Sequence, residues 1–204
     1  MLVHSLHVQL LAGLIFVALG QDCNVLPSAF YPVTGNASTL TAGDDISSAV
    51  LLPGFPIRFY ARTKTQIFVN INGQLTFTSA FSDFTPDPLP TSSVPAMISA
   101  FWNDIETSSS GCGITAEFSQ SPTLLNRMQD QVGVSFRPRE IFIATWNRVG
   151  RYDSDFSVAN TFQIVLGYSS LQTHVIFNYG AMEVRLCTGW QFYCSSPILL
   201  YSGL

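Results

Sequence analysis

The chain has 204 residues, 47% of them hydrophobic and only 11% charged, with sixteen Phe and a formal net charge of −4. That composition excludes an intrinsically disordered chain, which needs low hydrophobicity and high charge. Nine Lys and Arg over this length do not make the basic face of a nucleic-acid binder.

Met1–Gly20 reads as a cleaved signal peptide. Val8–Leu19 is mostly apolar, and Ala18-Leu19-Gly20 places small residues before a cleavage at Gln21. The run is shorter than the roughly 20 apolar residues of a membrane-spanning helix, although the leading segment offers His4 and His7 in place of Lys or Arg. No later stretch is long and uninterrupted enough to span a bilayer, so the mature chain is expected to be exported. Residues 21–54 form a loop-rich lead-in. It holds the glycosylation sequon Asn36-Ala37-Ser38 in a polar setting suited to exposure.

Residues 55–184 carry the folded domain. Ile57–Tyr60 reads as a short strand. Ile67–Ile71 and Gln74–Thr78 then flank Asn72-Gly73, a pair that suits the two positive-φ positions of a type I′ turn. Alternation puts Ile67, Val69 and Ile71 on one face, with Leu75 and Phe77 on one face of the partner strand. Phe68 points the other way, which suggests that both faces are covered. Phe81–Pro95 carries four prolines and is expected to cross the surface as an extended segment. Ala96–Trp102 reads as a buried strand and Ile114–Ser119 as another. Ser121-Pro122 opens a helix over 122–132, with Leu124, Leu125, Met128 and Val132 at helical spacing and Gly133 to close it. Ile141–Trp146, Thr161–Tyr168 and Thr173–Tyr179 are strands rich in β-branched and aromatic residues, with 148–159 a polar loop. The expected fold is mainly β, an antiparallel β-sandwich with one short helix.

The chemistry-bearing residues point away from catalysis. Cys23, Cys112, Cys187 and Cys194 are an even set in an exported chain, and four cysteines allow three pairings. The short separation of Cys187 and Cys194 favours joining them and leaving Cys23 to Cys112, though the sequence does not fix connectivity. A zinc site would need closer cysteine spacing or a second histidine beside His174. Asp104 and Glu106 share a strand face, as two glycosidase carboxylates would; calcium ligation and ordinary turn chemistry are the alternatives. Asp83 and Asp87 sit in a proline-rich turn. His174 falls inside a strand without a nucleophile elbow anywhere in the chain. Trp102 and Trp146 end apolar strands as core anchors, while Trp190 lies in the tail. No catalytic, cofactor or metal residue is therefore assigned.

Several stretches stand in one order: Ile67-Phe68-Val69-Asn70-Ile71-Asn72-Gly73, Phe84-Thr85-Pro86, Pro88-Leu89-Pro90, and Ala100-Phe101-Trp102-Asn103-Asp104-Ile105. Ala144-Thr145-Trp146, Asn160–Leu166 and Ile176-Phe177-Asn178-Tyr179 follow. This arrangement resembles the NIDO (nidogen-like) domain, in wording closest to its tectorin type, from about residue 30 to about residue 183. The resemblance implies a secreted, non-enzymatic module of extracellular matrix, binding matrix or cell-surface proteins and open to self-association. Arg185–Leu204 departs from the family pattern, as a short stand-alone member or a truncated chain would. The runner-up function is a lectin-like, glycan-binding sandwich.

Overall fold

The computed structural model describes residue 23 and residues 25–89, 91–107, 112–133, 135–152 and 159–182. The expectations for the leader, Cys187, Cys194 and Trp190 lie outside the described residues. Among the described residues eleven strands and one helix run in the order β1 (Ser38–Thr39), β2 (Ile57–Phe59), β3 (Arg62–Lys64), β4 (Phe68–Asn70), β5 (Gln74–Thr76) and β6 (Met97–Ser99). β7 (Ile105–Glu106), β8 (Gly113–Ser119), α1 (Pro122–Val132), β9 (Glu140–Arg151), β10 (Asn160–Tyr168) and β11 (Thr173–Tyr179) follow. All pairings are antiparallel. β1-β8-β9-β10-β11 make the larger sheet, with β7 paired to the far end of β9; β4-β5-β6 make a smaller sheet, and β2-β3 a separate hairpin.

Period-two alternation sorts the large sheet's side chains into two cores. Phe142, Ala144 and Trp146 of β9, with Phe162, Ile164 and Leu166 of β10, meet Ile67, Val69, Ile71 and Leu75 of the small sheet. Their neighbours Ile141, Ile143 and Val165 face the opposite way, onto Leu124 and Met128 of α1 and onto Tyr31. The molecule is thus a β-sandwich with a helix laid on the outer face of its larger sheet. The Trp146 indole N–H donates to the Ile71 carbonyl at 3.0 Å, and the Tyr179 hydroxyl to the Ala100 carbonyl at 2.8 Å. Each of these bonds links the two sheets.

The helix occupies Pro122–Val132, the residues read from Ser121-Pro122 and Gly133. It comes very close to β10. A Cβ built on Gly167 would lie 2.6 Å from Met128 Cγ, so the helix seats where the strand has no side chain.

Two local expectations are corrected. The Asn72-Gly73 turn is not type I′: Gly73 has φ +92°, Asn72 is not among the positive-φ residues, and the Gly73 N–H bonds to the Asn70 carbonyl at 3.1 Å. Asn70 pairs directly with Gln74, so the loop has three residues and glycine takes the left-handed position at its end, the bulged alternative to the two-residue turn. A Cβ on Gly73 would sit 1.8 Å from the Phe101 carbonyl oxygen, which fixes this residue doubly. The loop expected from residue 148 begins later, because β9 continues to Arg151. A bulge sets Asn147 and Arg148 against the single residue Thr161, with Arg148 at φ +51°. The polar bulge residues hide the continuing strand.

The outer face of the small sheet is also covered, as Phe68 suggested. Asn70, Gln74 and Thr76 are fully buried there, and the Phe81 N–H reaches the Asn70 side-chain oxygen at 2.9 Å. The lead-in residues 25–54 are woven into the same body. Ser47 bridges to Asn70, Leu51 to Ile67 and Asp44 to Glu106, while Tyr31 has no exposed surface.

Candidate functional site

Two loops and the start of β7 converge at the β4–β5 turn, and Asn72 is the residue that gathers them. Its amide donates to Asp45 Oδ1 at 2.7 Å and to the Ser82 carbonyl at 3.2 Å, and its oxygen accepts the Ile105 N–H at 2.9 Å. Next to it Asn70 Oδ1 accepts from Ser47 Oγ and Phe81 N–H, while Asn70 Nδ2 donates to the Gln74 carbonyl and Thr76 Oγ1. Both asparagines read in sequence as strand and turn residues. Their role as buried hubs was signalled only by their polar identity inside an otherwise apolar run.

On the surface these hubs support, carboxylate oxygens of Asp44, Asp45 and Asp104 lie within 4.8 Å of one another. Glu106 is adjacent through its bridge to Asp44. Burial first, and then the charges of Asp45 and Glu106, push the Asp44 carboxyl above the usual carboxylate range. Asp45 holds φ +50°, a left-handed conformation that aspartate tolerates better than most residues. Asp104 and Glu106, singled out as a pair, are therefore joined by two acids from the lead-in. The set of oxygens suits a hard cation such as calcium, which takes six to eight oxygen ligands; Asp44, Asp45 and Asp104 are the residues that could supply them.

The remaining singled-out residues have structural company. Asp83 Oδ1 accepts the Thr85 N–H and Asp87 Oδ2 the Ser93 hydroxyl, both within the proline-rich loop. His174 packs its ring 4.3 Å from Phe136 and lies 3.4 Å from the Gln172 side-chain oxygen; burial holds its pKa below the ordinary histidine value. The Trp102 indole donates to the Asp83 carbonyl, and Trp146 stacks on Phe162 at 4.9 Å. Cys23 and Cys112 are joined by a disulfide. Asn147 bonds to both ends of that bridge, its side chain to the Cys23 carbonyl and its own carbonyl to the Cys112 N–H. Asn36 is exposed. Its loop is anchored by Glu117, which accepts both the N–H and the hydroxyl of Thr34.

At the opposite end of the sandwich, Glu140 is 3% exposed and accepts from the Tyr168 hydroxyl, the Gly54 N–H and the Gln120 amide. This buried carboxylate ties residue 54 and the loop before α1 to the start of β9.

The nidogen-like domain profile matches residues 65–190. Nidogen of Drosophila melanogaster is 34% identical over 153 residues, 71% of this chain and 11% of that protein. Alpha-tectorin of Mus musculus is 30% identical over 170 residues, 78% of this chain and 8% of that protein. Nidogen-2 of Mus musculus is 33% identical over 174 residues, 78% of this chain and 12% of that protein. The chain thus spans about a tenth of the length of these relatives. No solved structure matches it.

Proposed function

Because the chain belongs to the nidogen-like domain family, we propose that it is a secreted, non-enzymatic module of extracellular matrix. It acts in cell–matrix adhesion by binding matrix or cell-surface proteins. The observation that carries this reading is the family match itself, which covers the β-sandwich from just before β4 onward. The fold agrees with it. The shifted titratable groups, Tyr31, Asp44, Tyr168, His174 and Tyr179, owe their shifts first to burial. Asn72 and Asn70 make a rigid support for several loops, and such scaffolded loops are where recognition surfaces form.

Expression of the full chain in secretory cells tests the reading, with medium, deposited matrix and lysate blotted without reductant. Discrete protein in medium and matrix is expected, with one mobility step lost in Asn36→Gln. A chain that is secreted yet never retained by matrix or cells would overturn the adhesion role.

A second reading, glycan binding through a bound calcium ion, is favoured by the meeting of Asp44, Asp45 and Asp104. Retention by matrix that vanishes in chelator and returns with calcium would replace the first reading by this one.

A further inference from the structure

The chain's charge is unevenly placed. No Asp or Glu occurs between Asp45 and Asp83, and this interval holds Arg58, Arg62 and Lys64, the only lysine in the sequence. All three belong to the β2–β3 hairpin, where Ile57 pairs with Lys64, Arg58 with Thr63 and Phe59 with Arg62. Arg58 and Arg62 are exposed and Lys64 half-buried. The hairpin abuts the large sheet at the end where β9 begins, with the Arg58 N–H bonded to Thr173 Oγ1. Thr173 pairs with Tyr168, whose carbonyl accepts the Arg139 N–H. Arg139 is exposed and lays its guanidinium 4.0 Å from the Phe55 ring centre. Four of the chain's nine cationic residues thus gather at one end. The neighbouring carboxylate, Glu140, is buried and engaged by three internal donors.

The hairpin tip adds a second feature. Tyr60 and Ala61 have φ +48° and +58°, so the turn is of the type that ordinarily takes Asn-Gly. A tyrosine there is strained, and strain of this kind concentrates at ligand-contacting positions. Tyr60 is 67% exposed, and its ring meets Phe59 edge-on at 4.6 Å.

We propose that this hairpin, with Arg139, binds a linear sulfated polysaccharide. Three of the four cations are arginines, whose planar fork matches a tetrahedral oxyanion through paired N–H donors. By register Arg62 and Lys64 share one face of the hairpin and Arg58 takes the other beside Thr63, so the cations flank an open two-stranded ribbon, which suits a flexible polymer passing over its edge better than a small anion needing enclosure. The exposed Tyr60 ring offers a flat apolar surface for a sugar face. The anionic lipid of a cytoplasmic leaflet is the wrong target for an exported chain. The proposal rests on the extracellular adhesion reading and supplies one class of partner for it.

The test uses the purified full chain over a heparin-coated sensor surface. Capture is expected at physiological salt and should weaken steeply as salt rises, since exposed charges are screened over about 8 Å at 0.15 M. Arg58→Ala/Arg62→Ala/Lys64→Ala should weaken it about tenfold or more, while Arg151→Ala, at the other end of β9, leaves it unchanged. Arg58→Lys/Arg62→Lys, which keeps charge and loses the forks, should fall between, and serves if the triple variant does not fold. Hyaluronate, carboxylated without sulfate, should compete poorly. Variants that bind as wild type, equal competition by hyaluronate, loss of capture in chelator, or retention explained by self-association in sedimentation would each overturn the proposal. Matrix deposition without heparin capture sinks this inference alone; absence of deposition sinks the adhesion reading.

Discussion

The amide of Asn72 holds the Asp45 and Ser82 loops through its nitrogen and the Ile105 backbone through its oxygen, all at a site with no solvent exposure. Truncation strands a buried N–H and releases two loops. Asn72→Ala is therefore expected to cost about 2–4 kcal/mol, read as a lower urea midpoint with unchanged slope. Two buried tyrosines govern the alkaline limit. Burial lifts Tyr31 to about 12, with the Arg127 charge acting the other way, and burial followed by the Glu140 bond and charge raises Tyr168. Unfolded tyrosine ionises near 10, so the stabilisation is complete below that pH and drains away as pH climbs from 10 toward 12. Thermal midpoints recorded across that window should fall, and fall less steeply in Tyr168→Phe. At this scale the sequence was only half legible. Ile67, Val69, Ile71, Leu75 and Phe77 announced their burial by alternation, and all five are core residues. Asn70 and Asn72 did not, because a polar residue alternating out of a strand reads as solvent-facing and one beside glycine reads as a turn, unless the loops that come back to them are known.

Among the elements, α1 seats closely on β10 at Gly167. Gly167→Ala pushes a methyl into Met128, and overpacking of this kind typically costs about 1–3 kcal/mol. A Met128→Ala background removes the three atoms nearest the added methyl, so the same substitution should cost much less. A double-mutant cycle by urea denaturation, with coupling of at least about 0.5 kcal/mol, would establish the contact. Full additivity would refute it. Element by element, regular signals carried well: the helix bounds came from a proline at its start and a glycine past its end, and β10 and β11 from long β-branched runs. Elements of two residues escaped. β1 and β7 are too short to show a period, and each exists because a partner strand already stands beside it. β9 was read short for a different reason, since the bulge at Arg148 interrupts its alternation while its pairing continues.

For the whole molecule the Cys23–Cys112 bridge is the covalent constraint among the described residues, with a sequence separation of 89. Cys112→Ser should lower stability by about 2–5 kcal/mol, chiefly by freeing the unfolded chain, and urea melts of the two proteins under oxidising conditions would measure it. The same bridge carries a consequence for biosynthesis. A chain that enters an oxidising lumen amino end first, at about 5–20 residues per second, delivers Cys23 several seconds before Cys112. Cys187 comes 75 residues later still (187 minus 112). On the proposed secreted reading, Cys112 would emerge with Cys23 already in the lumen and Cys187 and Cys194 still to come, an order that favours the Cys23–Cys112 pairing. Asn36 passes in the interval, before Glu117 has appeared to fasten the Thr34 loop. On the proposed secreted reading, its sequon would meet the glycosylation machinery on an unfastened chain, before the Cys23–Cys112 clasp can shut.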